Sequence, residues 1–184
     1  ELVDAFSRGV MEHGSDVVDL GLASTDLMYY AAGTLDAPGA MFTASHNPAG
    51  YNGVKFCLSG ARPVGVDTGL DEVKRVAGDV LEGHGPLPAA TAGSQTSRNL
   101  LEAFADHVVS FVDVASLRAL RVVADTANGM GGLVVPAVFE RLPQITLEVM
   151  YGELDGTFPN HPADPLQPAN QRDLQARVVA GGFD

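Results

Sequence analysis

The sequence has few basic residues, a single cysteine and no long apolar run. Its 184 residues include 11 Lys and Arg against 23 Asp and Glu, which gives a formal net charge of −12 at pH 7. Nucleic-acid binding needs clustered cations to neutralise phosphates, so this balance excludes that class of partner. A membrane-spanning helix needs about 20 apolar residues in succession, and the sequence has no such stretch. We therefore predict neither a nucleic-acid nor a membrane partner.

The single cysteine, Cys57, cannot form an internal disulfide. It falls in a predicted strand, which favours a reduced, buried thiol and a reducing compartment. The chain begins Glu1-Leu2-Val3-Asp4, which is typical of a helix and not of a signal peptide. We therefore predict a cytoplasmic protein. Because the first residue is not Met, we also expect further sequence upstream.

Hydrophobic residues make up 46% of the chain, which is enough for a packed core. Their spacing alternates between helix and strand: helical from Leu2 towards Gly14 and from Thr25 towards Gly33, strand-like at 17–20 and 40–42. This alternation predicts an α/β protein with mixed, largely parallel sheets flanked by helices, arranged as two lobes.

Small residues, Gly and Pro dominate residues 83–96, which we interpret as a connection over the surface between the lobes. Ser97 is then expected to cap a long amphipathic helix, and a second α/β unit begins at Arg121. The predicted organisation is a serine-loop domain over 1–96, a connecting helix over 97–117 and a second α/β domain over 118–184.

The most distinctive stretch is M-F-T-A-S-H-N-P-A-G-Y-N-G-V-K-F, which covers residues 41–56. Its apolar start predicts the end of a buried strand, and Pro48 disfavours helix at the residue before it, so the chain must turn. Asn52-Gly53 is a strong turn signal, after which residues 54–58 can return as a second strand. The sequence therefore predicts a hairpin with polar residues at its tip.

The tip offers a hydroxyl from Ser45, an imidazole from His46 and, close by in sequence, an ammonium from Lys55. A serine is a weak nucleophile unless a base, a cation or a metal activates it, and the other two residues are near candidates. A plain polar turn is the alternative, because Ser, Asn, Pro and Gly are ordinary turn formers. A serine hydrolase fits poorly, since T-A-S-H-N is not a G-x-S-x-G nucleophile elbow.

A second polar stretch, D-G-T-F-P-N-H-P-A-D-P, covers residues 155–165. Asp155, His161 and Asp164 are of metal-ligand type, but a rigid proline-rich loop explains the stretch better. The glycine-rich turn at 125–132 has neither G-x-G-x-x-G nor the P-loop lysine, so it is a weak phosphate motif. Close packing of a helix on a strand is the better explanation of those glycines.

Both stretches resemble motifs of the phosphohexomutase superfamily, which contains phosphoglucomutases and phosphomannomutases. T-A-S-H-N-P followed by Y-N-G-x-K resembles the phosphoserine loop of that family, with the lysine at the expected spacing. D-G-x-F-P-N-H-x-x-D-P-x-x-P-x-N resembles a signature of its second domain, although Ala169 stands where the family usually has Glu. The resemblance covers essentially the whole chain, as most of domain I and the start of domain II.

The resemblance implies the interconversion of hexose 1-phosphate and hexose 6-phosphate, with mannose or glucose as the sugar. It implies that Ser45 carries the phosphoryl group, that His46 and Lys55 are its catalytic partners, and that Asn47 shapes the cofactor-binding part of the loop. It further implies a Mg²⁺ ion held through the Ser45 phosphate and a hexose 1,6-bisphosphate as intermediate and activator. The expected partner is a phosphorylated hexose.

The aspartate-rich metal loop of the family and its last two domains have no counterpart in residues 1–184. We therefore expect the metal-binding aspartates beyond Asp184, and we expect this chain alone to be inactive. A phosphoglucosamine mutase and a non-catalytic phosphosugar-binding domain of the same fold stay open as alternatives. The second sheet, which ends early, would expose an edge, so the chain is also expected to be prone to form a homodimer.

Overall fold

The computed structural model describes residues 1–48 and 50–184, which contain six α-helices and seven β-strands. In chain order these are α1 (Leu2–Glu12), β1 (Val17–Asp19), α2 (Thr25–Thr34), β2 (Gly39–Phe42), β3 (Val54–Leu58), β4 (Arg62–Pro63), α3 (Leu70–Leu81), β5 (Gln95–Ser97), α4 (Leu101–Val109), β6 (Leu120–Asp125), α5 (Gly131–Phe139), β7 (Ile145–Met150) and α6 (Arg172–Gly181). Short 3-10 helices cover Ser59–Ala61, Val66–Thr68, Val114–Ser116 and Pro168–Gln171. The α/β class predicted from the alternation is confirmed.

The chain divides into two compact units. The first unit contains Glu1–Gly21, Met28–Phe42 and Val54–Asn99, and the second contains Leu22–Leu27, Thr43–Gly53 and Leu100–Asp184. The loop that carries Ser45 therefore groups with the second unit, although the strands on either side of it belong to the first. The domain boundaries expected from the sequence stay a prediction.

The first unit contains the predicted hairpin. Strands β2 and β3 pair antiparallel with Phe42 opposite Val54, and β4 adds a third antiparallel strand. Helix α1 packs on this sheet through Phe6, whose ring lies 5.5 Å from that of Phe42 and 6.1 Å from that of Phe56. The predicted hairpin is thus confirmed, although residues 52 and 53 themselves do not form the predicted turn.

A small core lies between α2 and the same sheet. Met28, Ala32 and Cys57 are buried, and the Cys57 thiol contacts the Met28 sulfur at 3.3 Å. Gly39 is needed here because a Cβ at that position would lie 2.6 Å from the Met28 sulfur. The expected buried, reduced state of Cys57 agrees with this packing.

One prediction in the first unit was wrong. Ser97 does not cap a helix, because residues 95–97 form β5, which pairs in parallel with β1. The ladder continues when the Arg98 amide donates to the Asp19 carbonyl at 2.9 Å, and α4 begins only at Leu101. Pairing with a strand more than 70 residues away overrides the local capping signal.

In the second unit, β6 and β7 pair in parallel over their full six residues, from Leu120 opposite Ile145 to Asp125 opposite Met150. Both strands therefore end at the same edge of the sheet. Helix α5 packs so closely on the turn after β7 that a Cβ at Gly132 would collide with the Gly152 carbonyl. At Gly132, close packing therefore explains the glycine, as predicted.

Ion pairs fasten the helices of this unit. Arg141, after α5, forms ion pairs with Glu102 and Asp106 on α4. Arg177 on α6 donates two parallel hydrogen bonds, of 2.5 and 2.6 Å, to the carboxylate of Glu148 on β7. In the part of the chain that the structure describes, no helix is both long and apolar enough to cross a membrane.

Candidate active site

The candidate site is built on the serine loop, residues 43–53, which connects β2 to β3. The loop is closed at its base by the Thr43 amide, which donates to the Gly53 carbonyl at 3.0 Å. Gly53 must approach Thr43 closely, since a Cβ there would lie 2.9 Å from the Thr43 carbonyl oxygen. Ala49 lies outside the described residues. The turn signals of the sequence thus produce a loop held together at its base.

Ser45 has an uncommon backbone conformation. Its φ is 55°, in the left-handed region that costs a non-glycine residue about 1 kcal/mol or more. The Thr43 hydroxyl holds the serine there by accepting a hydrogen bond from its amide at 3.0 Å. The side chain is exposed to solvent. A strained, exposed serine of this kind is a candidate functional residue.

The His46 side chain contacts the Ser45 hydroxyl. Its Nδ1 lies 3.0 Å from the serine Oγ. With Nδ1 unprotonated the imidazole accepts the hydroxyl proton, and with Nδ1 protonated it donates to an oxygen at that position. The structure therefore brings the predicted serine and histidine together in an arrangement suited to proton transfer.

Asn47 acts on the shape of the loop. Its side-chain amide donates to the Ala44 carbonyl at 2.8 Å, and its backbone amide donates to the same oxygen at 3.1 Å. The Tyr51 amide closes a second turn by donating to the Pro48 carbonyl at 2.9 Å. Asn47 thus stabilises the turn that presents Ser45.

Lys55 lies on β3 in the first unit, directly opposite Met41 of β2. Side chains alternate along a strand, so Lys55 projects from the face opposite the one where Phe56 contacts Phe6. It is exposed, and its ammonium makes no ion pair with any residue in 1–48 or 50–184. The lysine is therefore available for an anionic ligand.

Magnesium prefers several hard oxygen ligands in octahedral geometry. The serine loop contains no carboxylate, and within residues 1–48 and 50–184 no group of three Asp, Glu, His or Cys is placed to hold a metal ion. The donors in these residues therefore do not fit a Mg²⁺ site by themselves. A phosphoryl oxygen carried by Ser45 would add one hard oxygen ligand to such a site.

A second polar group lies where β6 and β7 end. We call it the strand-end cluster; its members are Asp125, Asn128, Tyr151, Asn160 and His161. Asp125, the last residue of β6, accepts from the Ala127 amide at 3.0 Å and contacts His161 Nε2 at 3.0 Å. The Asp125 side chain is only 7% exposed and that of His161 only 14%, so their contact is shielded from water.

Asn128 is the buried centre of the cluster. Its backbone has a φ of 56°, and its amide donates to the Tyr151 carbonyl at 2.8 Å. Its side chain donates to the Glu153 carbonyl at 2.9 Å and accepts from Asn160 at 2.8 Å. The proline-rich segment is thereby fixed onto the end of the sheet.

Hydrogen bonds in the strand-end cluster shift the pKa values of His161 and Tyr151. The Pro162 carbonyl and then Asp125 raise the pKa of His161, against the opposing effect of burial. The Tyr151 ring packs edge-on against His161, with centroids 5.4 Å apart, and its hydroxyl donates to Asp173 at 2.8 Å. The Asp173 carboxylate raises the pKa of Tyr151. Because the pKa of His161 is raised, its imidazole favours the charged form more than a free histidine does.

The alternative of a metal site at Asp155, His161 and Asp164 receives no support. Asp155 accepts from the amide and hydroxyl of Thr157, which lowers its pKa. Asp164 accepts from the Leu166 amide at 3.0 Å. Each carboxylate has a local turn partner, so the three side chains do not converge on one ion.

Sequence reasoning missed the Asp125–His161 pair and the role of Asn128. Two features of the sequence point towards this contact: polar residues come directly after a buried strand, and Asn160 and His161 lie side by side in a rigid segment. Because the partners are 36 and 32 residues apart, only the fold reveals which residues meet.

Comparison with known proteins adds independent information. The family model "Phosphoglucomutase/phosphomannomutase, alpha/beta/alpha domain I" matches residues 1–78, and that for domain II of the same family matches residues 102–184. The chain is 36% identical to a phosphomannomutase of Salmonella montevideo over 187 residues, covering 98% of this chain and 40% of the relative. It is 38% identical to "Phosphohexose mutases" of Xanthomonas campestris pv. campestris, covering 97% of this chain and 39% of that protein.

Solved structures agree with the sequence relatives. A phosphoglucomutase/phosphomannomutase family protein from Burkholderia thailandensis superposes with a TM-score of 0.79 at 27% identity, over 100% of this chain and 40% of that one. A putative phosphomannomutase from Thermus thermophilus gives a TM-score of 0.72 at 26% identity, over 96% of this chain and 40% of that one. The chain thus spans about 40% of the length of these relatives.

Proposed function

Because the chain belongs to the phosphoglucomutase/phosphomannomutase family, we propose that it supplies the phosphoserine loop of a phosphohexomutase, an isomerase that interconverts hexose 1-phosphate and hexose 6-phosphate. The supporting observation is the strained, exposed Ser45 with His46 Nδ1 3.0 Å from its Oγ. Mannose and glucose are the proposed sugars. A phosphoglucosamine mutase is the alternative substrate class.

In the proposed reaction, phosphorylated Ser45 donates its phosphoryl group to the free hydroxyl of the sugar phosphate. The hydroxyl oxygen bonds to phosphorus, the bond between phosphorus and the serine Oγ breaks, and the hydroxyl proton passes to a base. The product is a hexose 1,6-bisphosphate. Ser45 then takes the other phosphoryl group from this intermediate, which completes the isomerisation.

Each site residue has a proposed part in this cycle. His46 exchanges a proton or a hydrogen bond with the oxygen at the serine Oγ position. Lys55 neutralises charge on the transferring group, which is the main task in phosphoryl transfer. Asn47 keeps the turn in shape. The assignments of His46 and Asn47 rest on the geometry of the serine loop, and that of Lys55 rests on the motif.

We also propose a Mg²⁺ ion on an oxygen of phosphorylated Ser45, with its carboxylate ligands outside residues 1–184. When bound, the ion would offset negative charge on the phosphoryl group. The proposed partner is a phosphorylated hexose, with the bisphosphate as activator. Self-association through the β6–β7 sheet is proposed as well.

The test is turnover by a protein of the relatives' length that contains these residues. Mannose, glucose and glucosamine 1-phosphates are supplied separately with Mg²⁺ and a trace of hexose 1,6-bisphosphate. We expect conversion to the 6-phosphate of mannose or glucose, and its loss in Ser45→Ala. Ser116→Ala is the matched control, because that serine is exposed and its hydroxyl donates to the Asp113 carbonyl, away from the serine loop.

Three outcomes would contradict the proposal. Undiminished turnover in Ser45→Ala would remove the serine from the chemistry. Preference for glucosamine 1-phosphate would select the other mutase. Saturable binding of a hexose phosphate without any turnover by the unmutated protein would select a non-catalytic phosphosugar-binding domain.

A further inference from the structure

The sequence contains two Asn-Gly pairs, at residues 52–53 and 128–129. Such pairs are prone to spontaneous deamidation, because glycine hinders neither the rotation nor the attack that forms a cyclic imide. The structure places the pairs in opposite environments. We propose that Asn52 is a deamidation site in the native protein and that Asn128 is protected from the same reaction.

The first pair is free to react. Asn52 and Gly53 are exposed and lie in neither helix nor strand. Within residues 1–48 and 50–184, the Asn52 side chain makes no hydrogen bond, and the Gly53 amide donates none. The Gly53 carbonyl alone is engaged, by the Thr43 amide. Both reacting groups, the side-chain amide and the backbone nitrogen, are therefore unrestrained and in water.

The second pair is restrained at both groups. Asn128 is 6% exposed, and its side chain is held by the Glu153 carbonyl and by Asn160. The Gly129 amide donates to the Thr126 carbonyl at 2.8 Å. Attack would require breaking these hydrogen bonds in a buried place, which is costly. The same Asn-Gly reaction is therefore possible at the exposed residues 52–53 and hindered at the buried residues 128–129.

The reaction needs no reagent other than water. The deprotonated Gly53 nitrogen attacks the Asn52 side-chain carbonyl, a carbon–nitrogen bond forms, and ammonia leaves with the proton. Water then opens the imide at either carbonyl, which gives aspartate or isoaspartate. Rising pH accelerates the first step, because the backbone nitrogen must lose its proton to attack.

The product would alter the serine loop. Either form adds a negative charge to the segment that carries Ser45. Isoaspartate also lengthens the backbone by one carbon next to Gly53, which disturbs the hydrogen bond between the Thr43 amide and the Gly53 carbonyl. A loss of phosphoryl transfer from this change rests on the proposed function, whereas the modification itself does not.

Peptide mapping after incubation of the intact chain at mildly alkaline pH tests the inference. Trypsin releases residues 9–55, with Asn52, and residues 122–141, with Asn128. In the first peptide, Asn47 precedes proline, which has no N–H to attack. We expect the mass gain of amide-to-acid conversion, placed at Asn52 by fragmentation, and an unchanged second peptide. In denaturant the second peptide should convert as well.

Asn52→Gln is the matched variant, because its longer amide forms the corresponding ring far more slowly. It is preferred to Gly53→Ala, whose Cβ would press on the Thr43 carbonyl at 2.9 Å. An unmodified 9–55 peptide, equal native conversion of both peptides, or undiminished conversion of the 9–55 peptide in Asn52→Gln would each overturn the inference. Activity is not a readout, so failure of the proposed function would leave these results unaffected.

Discussion

In the serine loop, the side chains of Ser45, His46 and Asn47 are exposed, whereas Asp125, Asn128 and His161 of the strand-end cluster are buried or half-buried. Both groups belong to the second unit, and both contain left-handed non-glycine residues. In the loop, the side chains of Thr43 and Asn47 bond to backbone groups and leave the serine hydroxyl outward. In the cluster, the side chains bond to one another across the fold.

This contrast separates two uses of similar residues. A histidine beside a hydroxyl in water can exchange protons with a ligand, whereas a histidine bonded to a shielded carboxylate is committed to structure. We therefore expect substitutions in the catalytic surroundings of the serine loop to change rate, and substitutions in the strand-end cluster to change stability. The following experiments test that division, from the largest expected effect to the smallest.

Lys55→Met should give the largest effect. Loss of the ammonium removes charge stabilisation of the transferring phosphoryl group, so kcat should fall by roughly 100- to 1,000-fold. The melting temperature should hardly change, because Lys55 is exposed and forms no ion pair in the described part of the chain. Steady-state kinetics and thermal unfolding of a protein of the relatives' length measure both. A large drop in melting temperature with normal turnover would make the lysine structural.

Asp125→Ala should act on stability. It leaves His161 Nε2 shielded without its partner and removes the acceptor of the Ala127 amide. The free energy of unfolding should fall by about 3 kcal/mol, the range for breaking a shielded pair. Urea unfolding at neutral pH is the measurement.

Asp113→Ala is the matched control for that variant. Asp113 accepts from the Ala115 amide at 3.2 Å in the same local pattern, but it is exposed and, among residues 1–48 and 50–184, pairs with no histidine. Its loss should cost about 1 kcal/mol or less. Equal losses in the two variants would show that the Asp125–His161 contact adds nothing.

The charge on His161 predicts a pH dependence. Its pKa is raised in the folded state, so its contribution is fully present below the unfolded value, about 6.5, and is lost as pH rises through the folded pKa. Stability relative to a His161→Gln variant should therefore decline across neutral pH. The groups that face the imidazole are Asp125, Tyr151 and Asp173. The effect should be smaller than deleting Asp125, and urea midpoints from about pH 6 to 8 would show it. A flat difference would contradict it.

Asn47→Ala should lower the free energy of unfolding only slightly. It removes one exposed hydrogen bond to the Ala44 carbonyl, worth about 1 kcal/mol or less. Because that bond shapes the turn, kcat should fall more than the small stability loss would suggest. Comparison with Asn170→Ala, which likewise removes a side-chain hydrogen bond to a backbone carbonyl but lies outside the serine loop, would separate a local effect from a general one. Unchanged kcat would mean that the turn keeps its shape without the side chain.

Local signals were enough to predict the hairpin and the serine at its tip. Pro48 and the apolar strand ends act on neighbouring residues, so their effects can be read from the sequence. The family was also predictable, because both motifs lie in continuous segments. The position of Ser45 in the left-handed region was not, because it depends on the hydroxyl of Thr43 and the closure of the loop.

Contacts between distant residues were beyond sequence reasoning. Gln95 and Thr96 were assigned to the surface connection because residues 83–96 are rich in small residues, Gly and Pro, and Ser97 was predicted to cap a helix; pairing with β1 makes all three a strand. The Asp125–His161 contact likewise depends on how residues 155–165 fold back onto the sheet. In both cases the sequence does not show which distant residues will be in contact.

Phosphate on Ser45 is the most direct test of the division between the two regions. A protein of the relatives' length, incubated with hexose 1,6-bisphosphate and Mg²⁺, should carry phosphate in the peptide of residues 9–55, at Ser45 by fragmentation. The same peptide from Ser45→Ala should carry none, while Asp125→Ala, if folded, should still be labelled. Phosphate that persists in the Ser45→Ala peptide, or that is found only on another residue, would contradict the assignment of Ser45 as the phosphoryl carrier.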